Sequence, residues 1–310
     1  MKRVFLDGSA GTTGLRIRER LAGRSDLTLV TLPEALRKDP LARKNMLNSC
    51  DLAILCLPDD AAREAAAMLE NPDVVLLDTS TAHRTEPGWA YGFPELSPAR
   101  LSAVLESRRI AVPGCHASGF LALVAPLTEA GLLPRDALLA CTSLTGYSGG
   151  GKKMIAEYES ELRDVLLDAP RQYGLSQQHK HLKEMTAVAG LVHPPVFCPI
   201  VADYYSGMEI TVPIFSQQLA RGVTAGTIRE FYRDFYRGPV VRYAEGAEET
   251  GFLSAGRLSG RDSMEISVFG NEERLLLTAR FDNLGKGASG AAMECLNLVT
   301  GCEPTLGLVL

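Results

Sequence analysis

Of the seven cysteines in this 310-residue chain, Cys115 is the one whose surroundings suit chemistry. It stands in Pro113-Gly114-Cys115-His116-Ala117-Ser118-Gly119, after a short apolar strand and before an apolar helix that runs to about Ala130. At such a corner, free backbone amides and the positive end of the helix dipole favour a thiolate, lowering the thiol pKa from about 8.5. A thiolate so placed is a nucleophile for a carbonyl carbon. The plainer reading is a buried cysteine in a turn; Gly114 and Gly119 on either side argue for the nucleophile. Cys50, Cys56 and Cys141 lie within apolar runs, where a free thiol packs as a small hydrophobe. An odd cysteine count with no C-x-x-C pair argues against a disulfide framework.

Such a nucleophile needs a group to move protons, and an imidazole with a pKa of about 6.5 suits the task. Of five histidines, His83 and His193 lie among loop residues and prolines. His116 directly follows Cys115, where consecutive side chains diverge. In His179-Lys180-His181-Leu182-Lys183-Glu184, helical spacing puts Glu184 one turn from His181, so the carboxylate can orient that ring. His179 and His181, two apart, cannot share a helix face. With no H-E-x-x-H and no cysteine pair nearby, no metal site is expected.

A second chemistry-bearing segment is Asp7-Gly8-Ser9-Ala10-Gly11-Thr12-Thr13-Gly14, between the first strand and the first helix. Its spacing is G-x-x-G-x-x-G rather than G-x-G-x-x-G, but the physics is shared. Glycines let the backbone approach a pyrophosphate, and a helix N-terminus supplies free N–H groups. Gly8, Gly11, Thr12, Thr13 and Gly14 are therefore the expected cofactor-binding residues. Beyond the second strand, Glu34 would suit a ribose 2′-hydroxyl and Arg37-Lys38 a 2′-phosphate. The balance favours NADP, with NAD still open, and the two cations fit a solvated helix face equally well. Ser148-Gly149-Gly150-Gly151-Lys152-Lys153 exposes amides before a helix, either as an anion nest or as a flexible loop. From Arg171 to Lys183 the chain carries cations and histidines but no carboxylate, which suggests either an anionic ligand or a solvated basic face.

The elements that must position these residues change character along the chain. Val4–Leu6, Leu27–Leu32, Leu52–Leu57 and Val74–Leu77 read as strands. They alternate with helices at Leu15–Leu21, which turns Leu15, Ile17 and Leu21 to the core, and at Ala61–Leu69. Continuous apolar runs in this rhythm imply a doubly wound α/β parallel sheet of the Rossmann type. After residue 115 come longer strands at 137–145, 209–215, 263–269 and 274–281, suggesting a mixed sheet with helical cover, and then a last helix from about Gly287 to Val299. The expectation is two closely packed domains, the second of α+β type. Net charge is −5, with 32 basic against 37 acidic residues and no basic stripe, which argues against a nucleic-acid partner. No apolar run reaches the roughly 18–20 residues of a bilayer span, and Met1-Lys2-Arg3 leads straight into a strand. A cytoplasmic protein without a membrane partner is expected.

With these motifs in view, the chain resembles the short-form N-acetyl-γ-glutamyl-phosphate reductases, within the superfamily that includes aspartate-semialdehyde dehydrogenase. The resemblance spans nearly the whole length. It rests on DGSAGTTG, Asp78–Thr85 (DTSTAHRT), Tyr91–Leu96 (YGFPEL), PGCHASG, GYSGGGK, HKHLKE and Asp282–Gly290 (DNLGKGASG), in that order. It implies a nucleotide-binding domain over 1–115, a catalytic and dimerisation domain over 116–285, and a C-terminal segment, 286–310, that returns to the first.

It also implies Cys115 as nucleophile. The long-form relatives supply the base from H-R-H-x-P-E; here Lys180 and Lys183 replace the Arg and Pro, a departure that leaves the choice between His181 and His179 open, with His181 favoured. Asn283, Gly285 and Lys286 are implicated at the cofactor, and Ser148, Gly149, Lys152, Lys180 and Glu184 at the substrate. The implied activity is NADPH-dependent reduction of a small acyl phosphate to a semialdehyde through a thioester, in arginine biosynthesis, by a homo-oligomer, dimer or tetramer. Competing readings are the same reaction on aspartyl phosphate, a phosphorylating dehydrogenase acting on a sugar phosphate, and a non-catalytic nucleotide sensor of the same fold. The sensor reading predicts a damaged nucleophile or base, and neither is damaged here.

Overall fold

In a computed structural model that describes every residue except Ala10, the chain divides into two compact units. One comprises Met1–Gly114 with Ala288–Leu308, the other Cys115–Gly287 with Val309–Leu310.

The first unit is built on strands β1 (Lys2–Asp7), β2 (Leu27–Val30), β3 (Leu52–Leu55), β4 (Val75–Asp78), β5 (Ala90–Tyr91) and β6 (Arg109–Ala111). Among the described residues they form a parallel sheet in the order β2-β1-β3-β4-β6-β5. Every residue of β3 and β4 is buried, as apolar runs covered on both faces should be. Helices α1 (Thr12–Ala22), α2 (Pro40–Ser49), α3 (Asp59–Ala67) and α4 (Pro98–Glu106) connect the strands. One core cluster joins Val4, Leu6, Ile54 and Leu77 to Ile17 and Leu21, and to Ala292, Met293 and Leu296 of the C-terminal helix, Gly290–Thr300. A second cluster, on Phe5, Ala53, Leu55 and Leu76, covers the other face with Leu47, Ala62 and Ala65. Leu15 departs from expectation. It is 41% exposed, because the helix turns only Gly14, Ile17 and Leu21 inward. The chain leaves β1 on one side and returns to β3 on the other, so the topological switch point lies between these two strands.

The second unit holds a mixed sheet of β7 (Ala140–Gly146), β8 (Arg171–Gln172), β9 (Val196–Ala202), β10 (Met208–Phe215), β11 (Val241–Tyr243), β12 (Met264–Gly270) and β13 (Arg274–Phe281). Their order is β11-β12-β13-β10-β7-β9-β8. Helix α5 (Cys115–Glu129) is buried almost throughout and lies on β10 and β13. Gly119 permits that approach, since a Cβ there would stand 2.5 Å from Ile210 and 2.7 Å from Phe281. Pro126 inside α5 has no N–H to give the Ala122 carbonyl. The hydroxyl of Tyr236, just after α8 (Ala225–Phe235), donates to that carbonyl at 2.7 Å instead, and Tyr232 donates to Leu123. Helices α6 (Gly151–Tyr158) and α7 (His181–Val188) complete the set. The last helix begins at Gly290 rather than near Gly287, because Gly285–Ser289 forms a π-helical turn first.

Candidate active site

In the first unit, the three glycines after β1 do three different jobs. Gly8 has φ +93°, and a Cβ there would stand 2.3 Å from the Cys56 carbonyl oxygen, just past β3. Gly14 lets α1 close onto the turn, since its Cβ would lie 2.4 Å from the Gly8 carbonyl oxygen. Gly11 has nothing within 4 Å of where its Cβ would be, among the described residues. It is the N-cap of α1 and supplies no capping side chain, so the first N–H groups of the helix have no side-chain cap. Thr12 Oγ1 is buried with no hydrogen-bond partner among the described residues. An open cradle, a helix N-terminus without a cap and an orphaned hydroxyl at the switch point together fit a pyrophosphate.

Below that turn, Asp7 is buried and takes two hydrogen bonds from Arg43, at 3.0 and 2.9 Å. Burial raises the Asp7 carboxyl above the usual carboxylate range, with Arg43 opposing the shift. Past β2, Arg37 pairs with Glu34 at 2.8 Å, and Lys38 is exposed beside them. The basic and acidic candidates for the ribose therefore neutralise each other in a solvent-facing turn. His83 lies in a turn, as expected, and is buried there: Nδ1 lies 2.6 Å from Asp78 Oδ2, and its ring stacks on Trp89 at 4.0 Å.

In the second unit, Cys115 is the first residue of α5 and is partly exposed. The Gly287 backbone passes so close that a Cβ there would sit 3.0 Å from Cys115 Cβ. His116 joins a cluster with His179 and His181. Its ring is buried at 4% exposure and lies 5.5 Å from His181 and 5.6 Å from His179, centroid to centroid. His179 and His181 also meet, at 4.9 Å, although two residues apart. The reason is that α7 begins only at His181, so His179 lies outside the helix and its Nδ1 accepts from the His181 N–H at 3.3 Å. Phe197 of β9 and Tyr173 close the cluster.

Burial lowers the His116 imidazole to about 3, assisted by His179 and Lys180. His179 is lowered too, first by burial and then by Lys180. Glu184 is 2% exposed, one turn along α7 from buried His181, while Lys180 is exposed.

The remaining sequence candidates divide into anchored and exposed groups. Asn283 accepts from the Gly207 N–H at 2.9 Å and donates to Ser148 Oγ at 3.0 Å, tying the glycine segment to the end of β13. Gly285 is packed against Arg261, whose carbonyl oxygen would stand 2.0 Å from a Cβ. Lys286 is 1% exposed. Gly149 and Lys152 are exposed. Among the described residues no group of His, Cys, Asp or Glu could hold a metal ion, and no helix is long and apolar enough to cross a membrane. Tyr173 is the site residue that the sequence reading passed over. Its signal was slight, a lone tyrosine in a basic, carboxylate-free stretch.

A nucleotide-binding parallel sheet joined to a mixed-sheet unit with a cysteine at its first helix defines a protein of the semialdehyde dehydrogenase class. Residues 4–104 match the family described as semialdehyde dehydrogenase, NAD binding domain, and residues 115–283 the one described as semialdehyde dehydrogenase, dimerisation domain. The fold is shared with aspartate semialdehyde dehydrogenase II of Vibrio cholerae, solved in complex with ASA. That match has a TM-score of 0.73 at 15% identity and covers 97% of this chain and 98% of the other. The Candida albicans aspartate semialdehyde dehydrogenase with NADP gives 0.67 at 13% identity, over 97% and 98%. Much greater sequence similarity is found to the N-acetyl-γ-glutamyl-phosphate reductases of Rhizobium meliloti (44% identity, 96% of this chain and 98% of that protein) and of Burkholderia lata (46%, 96% of each). One from Nostoc is 42% identical over 99% of both chains. The chain belongs to the N-acetyl-γ-glutamyl-phosphate reductase family.

Proposed function

We propose that this protein reduces N-acetyl-γ-glutamyl phosphate to N-acetylglutamate semialdehyde with NADPH, a step of arginine biosynthesis. The observation that carries the reading is Cys115 at the N-terminus of α5 beside a buried histidine cluster, in a chain of this family. The Cys115 thiolate attacks the acyl phosphate carbon, phosphate departs, and a thioester remains on Sγ. When bound, the nicotinamide cofactor would supply a hydride to this thioester carbonyl, and with one proton the thioester becomes a thiohemiacetal. Collapse of the thiohemiacetal breaks the C–S bond, returns the thiolate and releases the semialdehyde. Backbone N–H groups at the start of α5 would stabilise the oxyanion of each tetrahedral species. His181 is the group assigned to proton transfer, with Glu184 orienting it and His179 as the alternative.

For the cofactor, the reading places the pyrophosphate on Gly8, Gly11 and Gly14, the N–H groups of Thr12 and Thr13, and the Thr12 hydroxyl. Arg37 and Lys38 are assigned to the 2′-phosphate, which requires Arg37 to exchange Glu34 for it. Asn283, Gly285 and Lys286 are assigned to the cofactor by family resemblance; of these, Asn283 already holds Ser148 and Gly207. Ser148, Gly149, Lys152 and Lys180 supply hydroxyl, amide and ammonium donors for the anionic substrate. The domain assignment (1–115 for nucleotide, 116–285 for catalysis and dimerisation, 286–310 returning) rests on the family. So does the cytoplasmic location. Self-association is supported by Val196, Pro213, Phe215 and Leu276, all exposed on strands of the second unit's sheet.

The test is the reverse reaction, with phosphate and NADP⁺, comparing N-acetylglutamate semialdehyde with aspartate semialdehyde and NADP⁺ with NAD⁺. The reading expects at least a hundredfold preference in kcat/KM, on the order of 2.7 kcal/mol, for the acetylated substrate. A clear preference for aspartate semialdehyde transfers the assignment to that reaction.

A further inference from the structure

Asp282, the residue after β13, is fully buried and takes no part in the reaction described. Its Oδ1 accepts from the N–H groups of Leu284, at 2.6 Å, and Gly285, at 2.9 Å. Its Oδ2 accepts from the Ser206 hydroxyl at 2.8 Å and the Gly260 N–H at 2.5 Å. All four donors are neutral. With both oxygens accepting, a carboxylate is held out of water by backbone and hydroxyl groups, which satisfy it only while they point at it. The Asp282 carbonyl oxygen holds the same turn a second time, accepting from the Gly285 N–H at 3.1 Å and the Gly287 N–H at 3.0 Å.

The turn so held meets the nucleophile at Gly287. A Cβ on Gly287 would stand 3.0 Å from Cys115 Cβ, 3.1 Å from the Asp282 carbonyl oxygen and 3.3 Å from the Phe281 ring. Bare backbone therefore walls one side of Cys115. We propose that Asp282 is a positioning residue for Cys115: through Oδ1 it holds the Leu284–Gly287 turn, so that the Gly287 backbone limits where the Cys115 sulfur can swing. The two oxygens divide the work, Oδ1 serving the turn and Oδ2 the loops before β10 and β12. Attack on a carbonyl needs sulfur and carbon aligned, and a misplacement of about 1 Å costs about a hundredfold in rate.

The catalytic meaning rests on the proposed reaction, but Cys115 itself reports the positioning. Iodoacetamide is applied at the high-pH plateau, where the thiol is ionised, and modified sites are assigned by intact mass and peptide mapping. Cys141, fully buried in the same unit, is the control: only molecules in which it stays unmodified are counted as folded. Asp282→Ala releases the turn and should raise Cys115 alkylation at least about threefold while lowering kcat of the reverse reaction at least about tenfold, with KM for the semialdehyde within about twofold. Gly287→Ala puts a methyl group against Cys115 and should slow alkylation at least about threefold.

Asp282→Asn should restore most of what alanine loses. Its amide oxygen can face the two turn N–H groups, leaving its NH2 to meet the Ser206 hydroxyl and the single Gly260 N–H. Ser206→Ala removes a donor from Oδ2 alone, so it should lower Tm yet leave alkylation and kcat within about twofold of wild type. Wild-type alkylation in folded Asp282→Ala or in Gly287→Ala overturns the proposal. Equal effects of Ser206→Ala and Asp282→Ala on both readouts also refute it, since Asp282 would then serve stability alone. The expected alkylation shifts in a protein whose wild type turns over no semialdehyde uphold the positioning and remove the proposed function instead.

Discussion

Replacing Gly11 by valine separates binding from folding at the glycine turn. Gly11 has φ −77°, an ordinary value for any residue, and its Cβ would meet nothing within 4 Å among the described residues. The fold therefore has room for the side chain. The remaining cost is a β-branched residue at an N-cap, about 1 kcal/mol, or a melting temperature lower by about 2–4 °C. The space that valine fills is the space assigned to the pyrophosphate. Hydrogen bonds from backbone N–H groups to a charged oxygen contribute about 1.5–3 kcal/mol each. Losing one or two predicts at least a tenfold weaker Kd for NADPH by titration calorimetry.

Gly14→Val provides the contrast. Its Cβ would lie 2.4 Å from the Gly8 carbonyl oxygen and 3.1 Å from Ser9 Cα, both backbone atoms that cannot move aside. That variant should lose several degrees more, because helix α1 must lift off the turn. If Gly11→Val melts normally and binds NADPH as tightly as wild type, the pyrophosphate does not lie on this turn. Equal thermal losses in both variants would refute the claim that Gly11 faces open space.

Three further outcomes follow from the same geometry. Cys115→Ala should show no acyl adduct by intact mass and no turnover, yet bind NADPH like wild type, because the glycine turn is untouched. Beside it, His181→Asn should lower turnover by about 10²–10⁴-fold; a larger loss in His179→Asn would move the proton-transfer role to that residue. Neutralising Arg37 and Lys38 together should weaken NADPH far more than NADH, through lost charge-assisted contacts, and equal losses with both cofactors would return the pair to the solvent surface.

Because His116 is lowered from 6.5 to about 3 in the folded chain, unfolding takes up a proton throughout that window. Its contribution to stability is therefore complete above pH 6.5 and is lost as pH falls, at up to about 1.4 kcal/mol per pH unit. Urea titrations at pH 7.5 and pH 5 should show a larger acid loss in wild type, by about 2 kcal/mol, than in His116→Gln. Identical pH dependence in the two proteins would show that this ring does not charge on unfolding.

Much of the architecture was legible in the amino-acid sequence because it depends on local pattern. The continuous apolar runs at Leu52–Leu57 and Val74–Leu77 carry parallel strands, Leu52–Leu55 and Val75–Asp78, because only burial on both faces tolerates them. Strand β13 spans the residues expected of it, Arg274–Phe281, since nothing inside the run interrupts it. The strand-to-helix corner at Cys115 and the helix opening after Gly11 were also readable, from an apolar run, glycines and the residues that follow them. Periodicity was less informative where proline or short length intervened. Strand β9 contains Pro199 and follows Pro194-Pro195, and β5, β8 and β11 are only two or three residues long, too short to carry a pattern.

Only the tertiary structure decided who meets whom. Leu15 looked like a core residue by type but faces solvent, because the rotation of α1 on the sheet is set by the packing of Ile17 and Leu21. His179 and His181 looked incompatible under helical spacing, and they touch because the helix starts between them. The partners of His116 could not be read from its place after Cys115. Its ring is captured by Ser143 from one strand and Tyr173 from beyond another, 27 and 57 residues distant in the chain. Local propensity reports how a segment turns, because backbone sterics act over a few residues. A hydrogen bond between distant segments depends on strand order and register, which are set by burial of the whole sheet and leave no mark at the residues they join.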